Sequence, residues 1–231
     1  MNASRLAENL ANLRERINDA ARRSDRAPEE ITLVAVTKRN PPERVRPLIE
    51  LGVADLGENY PQELWSKIDA ITNPTLRWHL IGHLQGNKAR RTLPLVRMIH
   101  AVDSLKLLKT LDTLAAECHD PPQVCLQVNC SGEQAKHGWE PSAILNDAEA
   151  IASCRSIPIV GLMTMAAYDS RPDSARPAFI RLRETRDALR SRSGLALPEL
   201  SMGMSNDFEA AIEEGATLVR AGSALFEGVA S

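Results

Sequence analysis

The chain has 231 residues, of which 43% are hydrophobic and 25% are charged, and its formal net charge is −2. This is the composition of a globular domain, which argues against a disordered chain. The near-neutral charge gives no indication of a nucleic-acid-binding surface. The four cysteines include no C-x-x-C pair and no histidines lie at metal-ligand spacing, so we expect reduced thiols and no metal site.

The first 24 residues are predicted to form an amphipathic helix that packs on the rest of the chain. Leu6, Leu10, Leu13 and Ile17 recur at helical spacing and fall on one face. The segment carries acidic residues and has no apolar core of the signal-peptide type. No run approaches the roughly 20 apolar residues that a membrane helix needs. We therefore expect a cytoplasmic protein that does not contact membranes.

Strands and helices are predicted to alternate from residue 31 onwards. Residues 31–36 are apolar and β-branched, as expected for a buried parallel strand, and the next helix opens at Pro41-Pro42 and ends near Gly52. Seven further strands are expected at 54–56, 77–80, 98–102, 124–128, 159–162, 199–200 and 217–219. The remaining helices are expected at 62–71, 87–96, 105–116, 141–153, 172–191 and 208–214, with a short one after residue 223.

Eight strand–helix units predict an α/β fold, a single (β/α)8 TIM barrel domain over residues 1–231 with an extra N-terminal helix. A doubly wound open sheet would show the same alternation, and the residue pattern leaves that alternative open. In a barrel, functional residues lie where strands end and loops begin. The residues that follow each predicted strand are therefore the candidates for chemistry.

Lys38 follows the first predicted strand and would point into the mouth of the barrel. Burial lowers the pKa of a lysine because it penalises the ammonium form. An uncharged amine is the nucleophile that forms an imine with an aldehyde. The alternative is a solvated lysine at the end of a strand, with no chemical role.

Polar residues also follow the second strand and lie within the third. The segment GENYPQE at residues 57–63 has four polar side chains beside a glycine, and a turn or a helix N-cap is the alternative to a binding role. His79 alternates with apolar neighbours, which is typical of a hydrogen-bonded core histidine as well as of a functional one.

Two loops of small and hydroxyl residues come late in the chain. Residues 200–207 (LSMGMSND) and 219–224 (VRAGSA) each follow a strand and open a helix, where free N–H groups favour an anion. Their places match the phosphate site that barrels form after the seventh and eighth strands. Ser205 or Asn206 as a simple N-cap is the alternative. Together with Lys38, the two loops favour a phosphorylated aldehyde as the ligand.

The chain resembles the pyridoxal-phosphate homeostasis protein family, which is related to the N-terminal barrel of alanine racemase. The matching motifs run from residue 31 nearly to the C-terminus. They are AVTK (35–38), GENYPQE (57–63), WHLIGHLQGNK (78–88), HAVDS (100–104), QVNCSGEQAKHG (127–138), GLMTM (161–165), LSMGMSNDFEAAI (200–212) and VRAGSALFEG (219–228).

The resemblance implies that Lys38 holds pyridoxal 5′-phosphate (PLP) as a Schiff base. Arg220 matches the arginine that faces the pyridine nitrogen, and Asn59, His79 and Met163 are implied to lie near the cofactor ring. Lys136 matches a lysine implicated in PLP handling in the family. The implied phosphate cradle comprises Ser201, Met202, Gly203, Ser205, Gly222 and Ser223.

The sequence departs from the commonest family pattern in several places. Thr37 stands in place of a frequent serine, His83 in place of a frequent proline, and Ser223 in place of a frequent threonine. Ser223 keeps the hydroxyl, so phosphate binding is still expected. The effect of His83 on the rim of the site is not predictable from the sequence.

An arginine cannot accept a proton, so the pyridine nitrogen facing Arg220 would stay unprotonated and the ring would be a weaker electron sink. Tyr60 and Tyr168, the two tyrosines, match no second catalytic base of the racemase type, and we expect no room in these 231 residues for the β domain that supplies one in racemases. We therefore expect a monomeric, non-catalytic PLP binder that acts in vitamin B6 homeostasis and delivers PLP to apo-enzymes. The alternatives are a weak PLP-dependent racemase or lyase, and an interaction module with a vestigial site.

Overall fold

The structure, a computed structural model, describes residues 3–132, 137–166 and 172–229. Its eight strands are β1 (Thr32–Val36), β2 (Asp55–Glu58), β3 (Arg77–Leu80), β4 (Met98–Val102), β5 (Gln123–Gln127), β6 (Ile159–Met163), β7 (Glu199–Met204) and β8 (Leu218–Ala221). They are all parallel and close into a barrel in chain order, with β8 paired to β1. The predicted (β/α)8 barrel is confirmed, and the open sheet is excluded.

The helices surround the barrel. They are α1 (Ala3–Arg23), α2 (Pro42–Glu50), α3 (Pro61–Ala70), α4 (Gly86–Thr92), α5 (Leu105–Ala115), α6 (Pro141–Asn146), α7 (Ala148–Ala152), α8 (Arg176–Ser193), α9 (Phe208–Glu213) and α10 (Ser223–Phe226). Short 3-10 turns lie at Pro28–Glu30, Leu93–Leu95 and Pro172–Ala175. Within the described ranges, no helix combines the length and the apolar character needed to cross a membrane.

The predicted N-terminal helix is present as α1, and it packs against α9 and α10. Its apolar face is buried, with Leu6 and Leu13 almost fully removed from solvent. From the same helix Arg16 reaches α9, where it donates to Glu209 at 2.8 Å and lies over the Phe208 ring at 4.7 Å. The helix therefore covers the barrel beside the segments that follow β7 and β8.

Side chains alternate between the inside of the barrel and the layer under the helices, as a pleated strand requires. On β1, Val34 points inward while Ala35 packs under the helices. The apolar residues that fill the interior are Val34, Val36, Ile81, Met98, Ala101, Cys125, Met163 and Leu218. The four cysteines are free thiols.

The structure differs from the sequence prediction at two strands and one helix. Strand β2 extends through Glu58 and β7 through Met204, so residues that we expected in loops lie in the barrel wall. A glycine in left-handed conformation, Gly203, interrupts β7 where its pairing with β8 shifts register, and such a segment lacks a strand-like pattern. The helix expected at 141–153 is divided at Asp147, whose carboxylate accepts a hydrogen bond from Trp139 at 2.8 Å.

Candidate functional site

A cavity of about 320 Å³ opens at the carboxyl end of the barrel strands, within the size range of small-molecule sites. Its wall is formed by residues at or just after β1, β2, β3, β6, β7 and β8. The lining residues are Val36, Lys38, Asn59, Ile81, Met165, Met204, Ser205, Asn206, Asp207, Arg220, Gly222 and Ser223. A second cavity, of about 430 Å³, includes Arg14 and Arg77 at the opposite end, which is the end that barrels use for stability rather than for chemistry.

Lys38 lines the cavity, but its side chain is exposed. The predicted burial of the Lys38 side chain is therefore wrong. The reason is that the chain leaves the barrel wall at Val36, and Arg39 turns it outward with a positive φ of 62°. Lys38 thus stands on the open side of the cavity, where a ligand entering from solvent would meet it.

The segment before Lys38 is tied to a buried ion pair. Thr37 Oγ1 donates to Glu58 Oε1 at 2.5 Å, and Lys67 Nζ donates to the Thr37 carbonyl at 2.7 Å and also to the same Glu58 oxygen. Burial raises the pKa of Glu58 even with the Lys67 ammonium beside it. Glu58 is thus neither a turn residue nor a helix N-cap, and it anchors the end of β1 to α3.

A buried chain of hydrogen bonds crosses the barrel interior below the cavity. Arg220 Nη1 donates to Ser201 Oγ at 2.6 Å, and Ser201 Oγ lies 2.6 Å from His100 Nδ1. His100 Nε2 lies 2.9 Å from His79 Nδ1, and His79 Nε2 lies 3.0 Å from Asp55 Oδ1. The chain joins Arg220 at the cavity wall to a carboxylate at the start of β2.

The direction of this chain follows from its two ends. A guanidinium only donates and a carboxylate only accepts, so the Ser201 hydroxyl donates to Nδ1 of His100, and each ring then donates from Nε2. Burial holds the pKa of His100 well below its ordinary value. Although burial opposes it, hydrogen bonds from His79 and Arg77 lower the pKa of Asp55 to about 2. His79 is buried, and both of its ring nitrogens have partners in this chain.

Burial also lowers the pKa of Arg220 to about 10, with the Asp207 carboxylate acting in the opposite sense. Arg220 Nη2 donates to the Thr164 carbonyl at 3.0 Å, which fixes the guanidinium plane at the cavity wall. Asp207 has its own pKa raised by burial, against a hydrogen bond from the Met204 N–H. The arginine remains a cation, and it can donate to a ligand but cannot take a proton from one.

The two late loops are joined by one hydroxyl group. Ser205 Oγ accepts hydrogen bonds from the N–H groups of Gly222 at 3.2 Å and Ala224 at 3.3 Å. Ser205 therefore caps the segment after β8 and not α9, which was the alternative considered for it. A Cβ at Gly222 would lie 3.1 Å from the Val36 carbonyl oxygen, so the absence of a side chain lets the two strand ends approach.

The structure brings six of the expected site residues to the cavity wall: Lys38, Asn59, Ser205, Arg220, Gly222 and Ser223. The other five do not line it. His79, Met163 and Ser201 are buried inside the barrel, Met202 is buried in the layer under the helices, and Gly203 is packed against Ala211 and Phe208 of α9. Lys136 lies outside the described residues.

Sequence reasoning missed several apolar and acidic members of the wall. Val36 and Ile81 face inward at the ends of β1 and β3, a position that strand alternation could have indicated. Asn206 and Asp207 belong to the loop at residues 200–207, which the sequence had indicated, but no sequence pattern distinguished the residues that line the cavity from their neighbours. Met165 follows β6, from which we had selected Met163 instead.

Known proteins match this chain over nearly its whole length. The model of the alanine racemase N-terminal domain family matches residues 4–229. The chain is 41% identical over 223 residues to the pyridoxal phosphate homeostasis protein of Pseudomonas aeruginosa, covering 96% of this chain and 95% of that protein. It is 39% identical over 219 residues to the protein of the same name from Aquifex aeolicus, covering 95% and 96%.

A solved structure is also similar. PipY of Synechococcus elongatus PCC7942, in a structure with PLP bound, has a TM-score of 0.84 and 34% sequence identity, covering 96% of this chain and 99% of that one. The similarity extends over the barrel and is not confined to one motif.

Proposed function

This chain belongs to the pyridoxal phosphate homeostasis protein family, and we propose that it binds PLP in the cavity at the carboxyl end of the barrel, as a Schiff base on Lys38. One observation carries the proposal. The exposed amine of Lys38, the cationic Arg220 and the two loops joined by Ser205 line the same cavity, although they lie far apart in sequence. The PLP bound to PipY supports this choice of ligand.

The residues on the aldehyde side suit covalent attachment. The Lys38 amine would hold the PLP aldehyde as an imine, with water as the leaving group, and hydrolysis would release it. Hydrogen bonds hold both the hydroxyl and the carbonyl of Thr37, to Glu58 and from Lys67 respectively, so the backbone just before Lys38 is held in place. When bound, PLP supplies an electron-withdrawing ring.

The residues on the phosphate side suit an anion. Ser205 Oγ accepts from the N–H groups of Gly222 and Ala224, and its hydroxyl hydrogen can donate to a phosphate oxygen in the cavity. Ser223 contributes a further hydroxyl to the cavity wall. The ring between the two ends would lie against the apolar side chains of Val36 and Ile81.

We propose that the protein stores and delivers PLP rather than consuming it in a reaction. Arg220 would face the ring nitrogen as a donor that cannot protonate it, and this would weaken the ring as an electron sink. The names of the relatives, homeostasis proteins, support the same role. The proposal includes a single PLP-binding domain acting in the cytoplasm. It also includes a monomer, because the exposed large apolar side chains of the described residues are Tyr60 and Met165 alone, too few for an extended apolar interface.

A weak racemase or lyase is the second candidate, and the structure offers it one specific group. Of the described lining residues, Asp207 carries the carboxylate, and its raised pKa suits proton transfer. A hydrogen bond from the Met204 N–H orients the Asp207 carboxylate.

The test combines retention, transfer and turnover. The protein is loaded with PLP, desalted, and mixed with an apo-enzyme whose activity reports PLP arrival. We expect Lys38→Ala to lose PLP on desalting and Lys106→Ala, an exposed lysine on α5, to retain it. Activation of the apo-enzyme without measurable exchange of amino-acid α-protons in deuterated water supports storage and delivery. Sustained exchange that Lys38→Ala abolishes would make the protein an enzyme.

A further inference from the structure

Three side chains at the rim of the barrel converge on one point outside the PLP cavity. His83, Asp103 and His137 follow β3, β4 and β5 respectively, so they come from three separate connections at the carboxyl end. His83 Nδ1 lies 2.7 Å from Asp103 Oδ2, and His137 Nδ1 lies 3.8 Å from the same oxygen. One potential ligand atom from each residue lies within 4.8 Å of the others.

The hydrogen bond between His83 and Asp103 does not explain why the His137 ring lies beside them. His137 Nδ1 is too far from Asp103 Oδ2 for a hydrogen bond. The His137 ring nevertheless stacks on the His83 ring, with centroids 5.0 Å apart, and its Nδ1, like that of His83, is the nitrogen near Asp103 Oδ2. The two rings are 47% and 70% exposed at their side chains, while the Asp103 side chain is 9% exposed. A largely buried carboxylate and two exposed imidazoles therefore form a set of potential metal ligands that solvent can reach.

The distances are close to those of a metal site. Zinc binds imidazole nitrogen and carboxylate oxygen at about 2.0–2.2 Å, so neighbouring ligand atoms in a tetrahedral site stand about 3.3 Å apart. The separations of 2.7 Å and 3.8 Å bracket this value. All three ligand atoms lie within 4.8 Å of one another, and both histidines are exposed side chains that can adjust to close on an ion.

We propose that His83, Asp103 and His137 form a binding site for a divalent transition-metal ion of the Zn²⁺ type. Imidazole ligands select Zn²⁺ and its neighbours over Mg²⁺ and Ca²⁺, which prefer oxygen. Three protein ligands leave at least one position open to water or to an external ligand. The ion joins the segments after β3, β4 and β5, and its site is independent of the PLP proposal because none of the three ligands lines the PLP cavity.

No metal site was expected from the sequence, because the three ligands are not closely spaced along the chain. Here the ligands are 20 and 34 positions apart in sequence, and the barrel brings them together.

Zinc titration by calorimetry, after removal of trace metal with a chelator, tests the proposal. We expect one Zn²⁺ per chain, and an affinity that falls by about tenfold or more in each of H83N, D103N and H137N. H119N is the matched control, since His119 is exposed and outside the cluster, and it should bind as the wild type does. Thermal unfolding in chelator checks that each variant is folded.

Three results would overturn the proposal. The first is absence of zinc binding to the wild type, and the second is retention of wild-type zinc affinity by any of the three folded variants. The third is a thiolate charge-transfer band when Co²⁺ replaces Zn²⁺, which would assign the ion to a cysteine such as the partly exposed Cys118.

Discussion

Replacing Lys67 by methionine leaves Glu58 as a buried carboxylate without its cation. The side chains of Lys67 and Glu58 are 6% and 0% exposed, so solvent does not screen the loss. Breaking a buried ion pair by removing one partner costs about 3–5 kcal/mol of unfolding free energy. For a chain of this size, such a loss lowers the melting temperature by roughly 6–20 °C.

The loss should depend on pH in a definite direction. Burial already raises the pKa of Glu58, and removal of Lys67 raises it further. A carboxyl whose pKa is raised on folding binds more protons in the folded state, so its contribution to stability falls as pH rises from its unfolded pKa, about 4.3, through its folded pKa. The deficit of K67M relative to the wild type is therefore largest at neutral pH and shrinks as the pH is lowered toward 4.

The assay is urea unfolding of the wild type, K67M and the double variant E58M/K67M at several pH values. The double variant removes both charges, and Thr37 keeps alternative partners, since its carbonyl accepts from the Asn40 N–H at 3.0 Å. It should recover most of the loss. A deficit for K67M below about 1 kcal/mol at neutral pH, as for an exposed pair, would refute the reasoning, as would a deficit that grows on acidification.

Three further predictions concern the barrel interior, the cavity and the thiols. Ser201→Ala leaves Arg220 without its hydroxyl partner and should cost about 1–3 kcal/mol in urea unfolding; an unchanged midpoint would mean that the buried chain of hydrogen bonds is not formed. Asp207→Asn should leave PLP retention within a few-fold of wild type, with no alanine racemisation in either protein, and racemisation by the wild type that this change abolishes would favour the enzyme alternative. Burial raises the pKa of the Cys125 thiol, so Ellman's reagent should react first with the partly exposed Cys118, and Cys118→Ser should remove that rapid phase; a rapid phase that persists would contradict the assigned burial.

The barrel was predictable because its signals are local. Apolar runs alternating with amphipathic segments identify parallel strands and helices, and the structure confirms all eight units. Proline at a helix start, as at Pro42, placed a boundary to within a residue. The predicted end of β7 was wrong, because the small and polar residues after position 200 take a strand conformation only through pairing with β8.

The candidate site was predictable where a strand end carries a distinctive residue, as at Lys38 and Arg220. Its supporting contacts were not predictable, because they join residues distant in sequence. Ser201 and His100 are 101 positions apart and meet across the barrel. The exposure of Lys38 depends on where the chain turns away from β1, which the residue types alone do not determine.

The most direct test of the central claim is reduction of the PLP-loaded protein with borohydride, followed by peptide mapping. We expect a visible absorption band that borohydride removes and a reduced pyridoxyl group on the peptide that contains Lys38. A band that never forms after PLP is added and the excess removed, or a reduced adduct that maps to a different lysine, would contradict the proposed attachment.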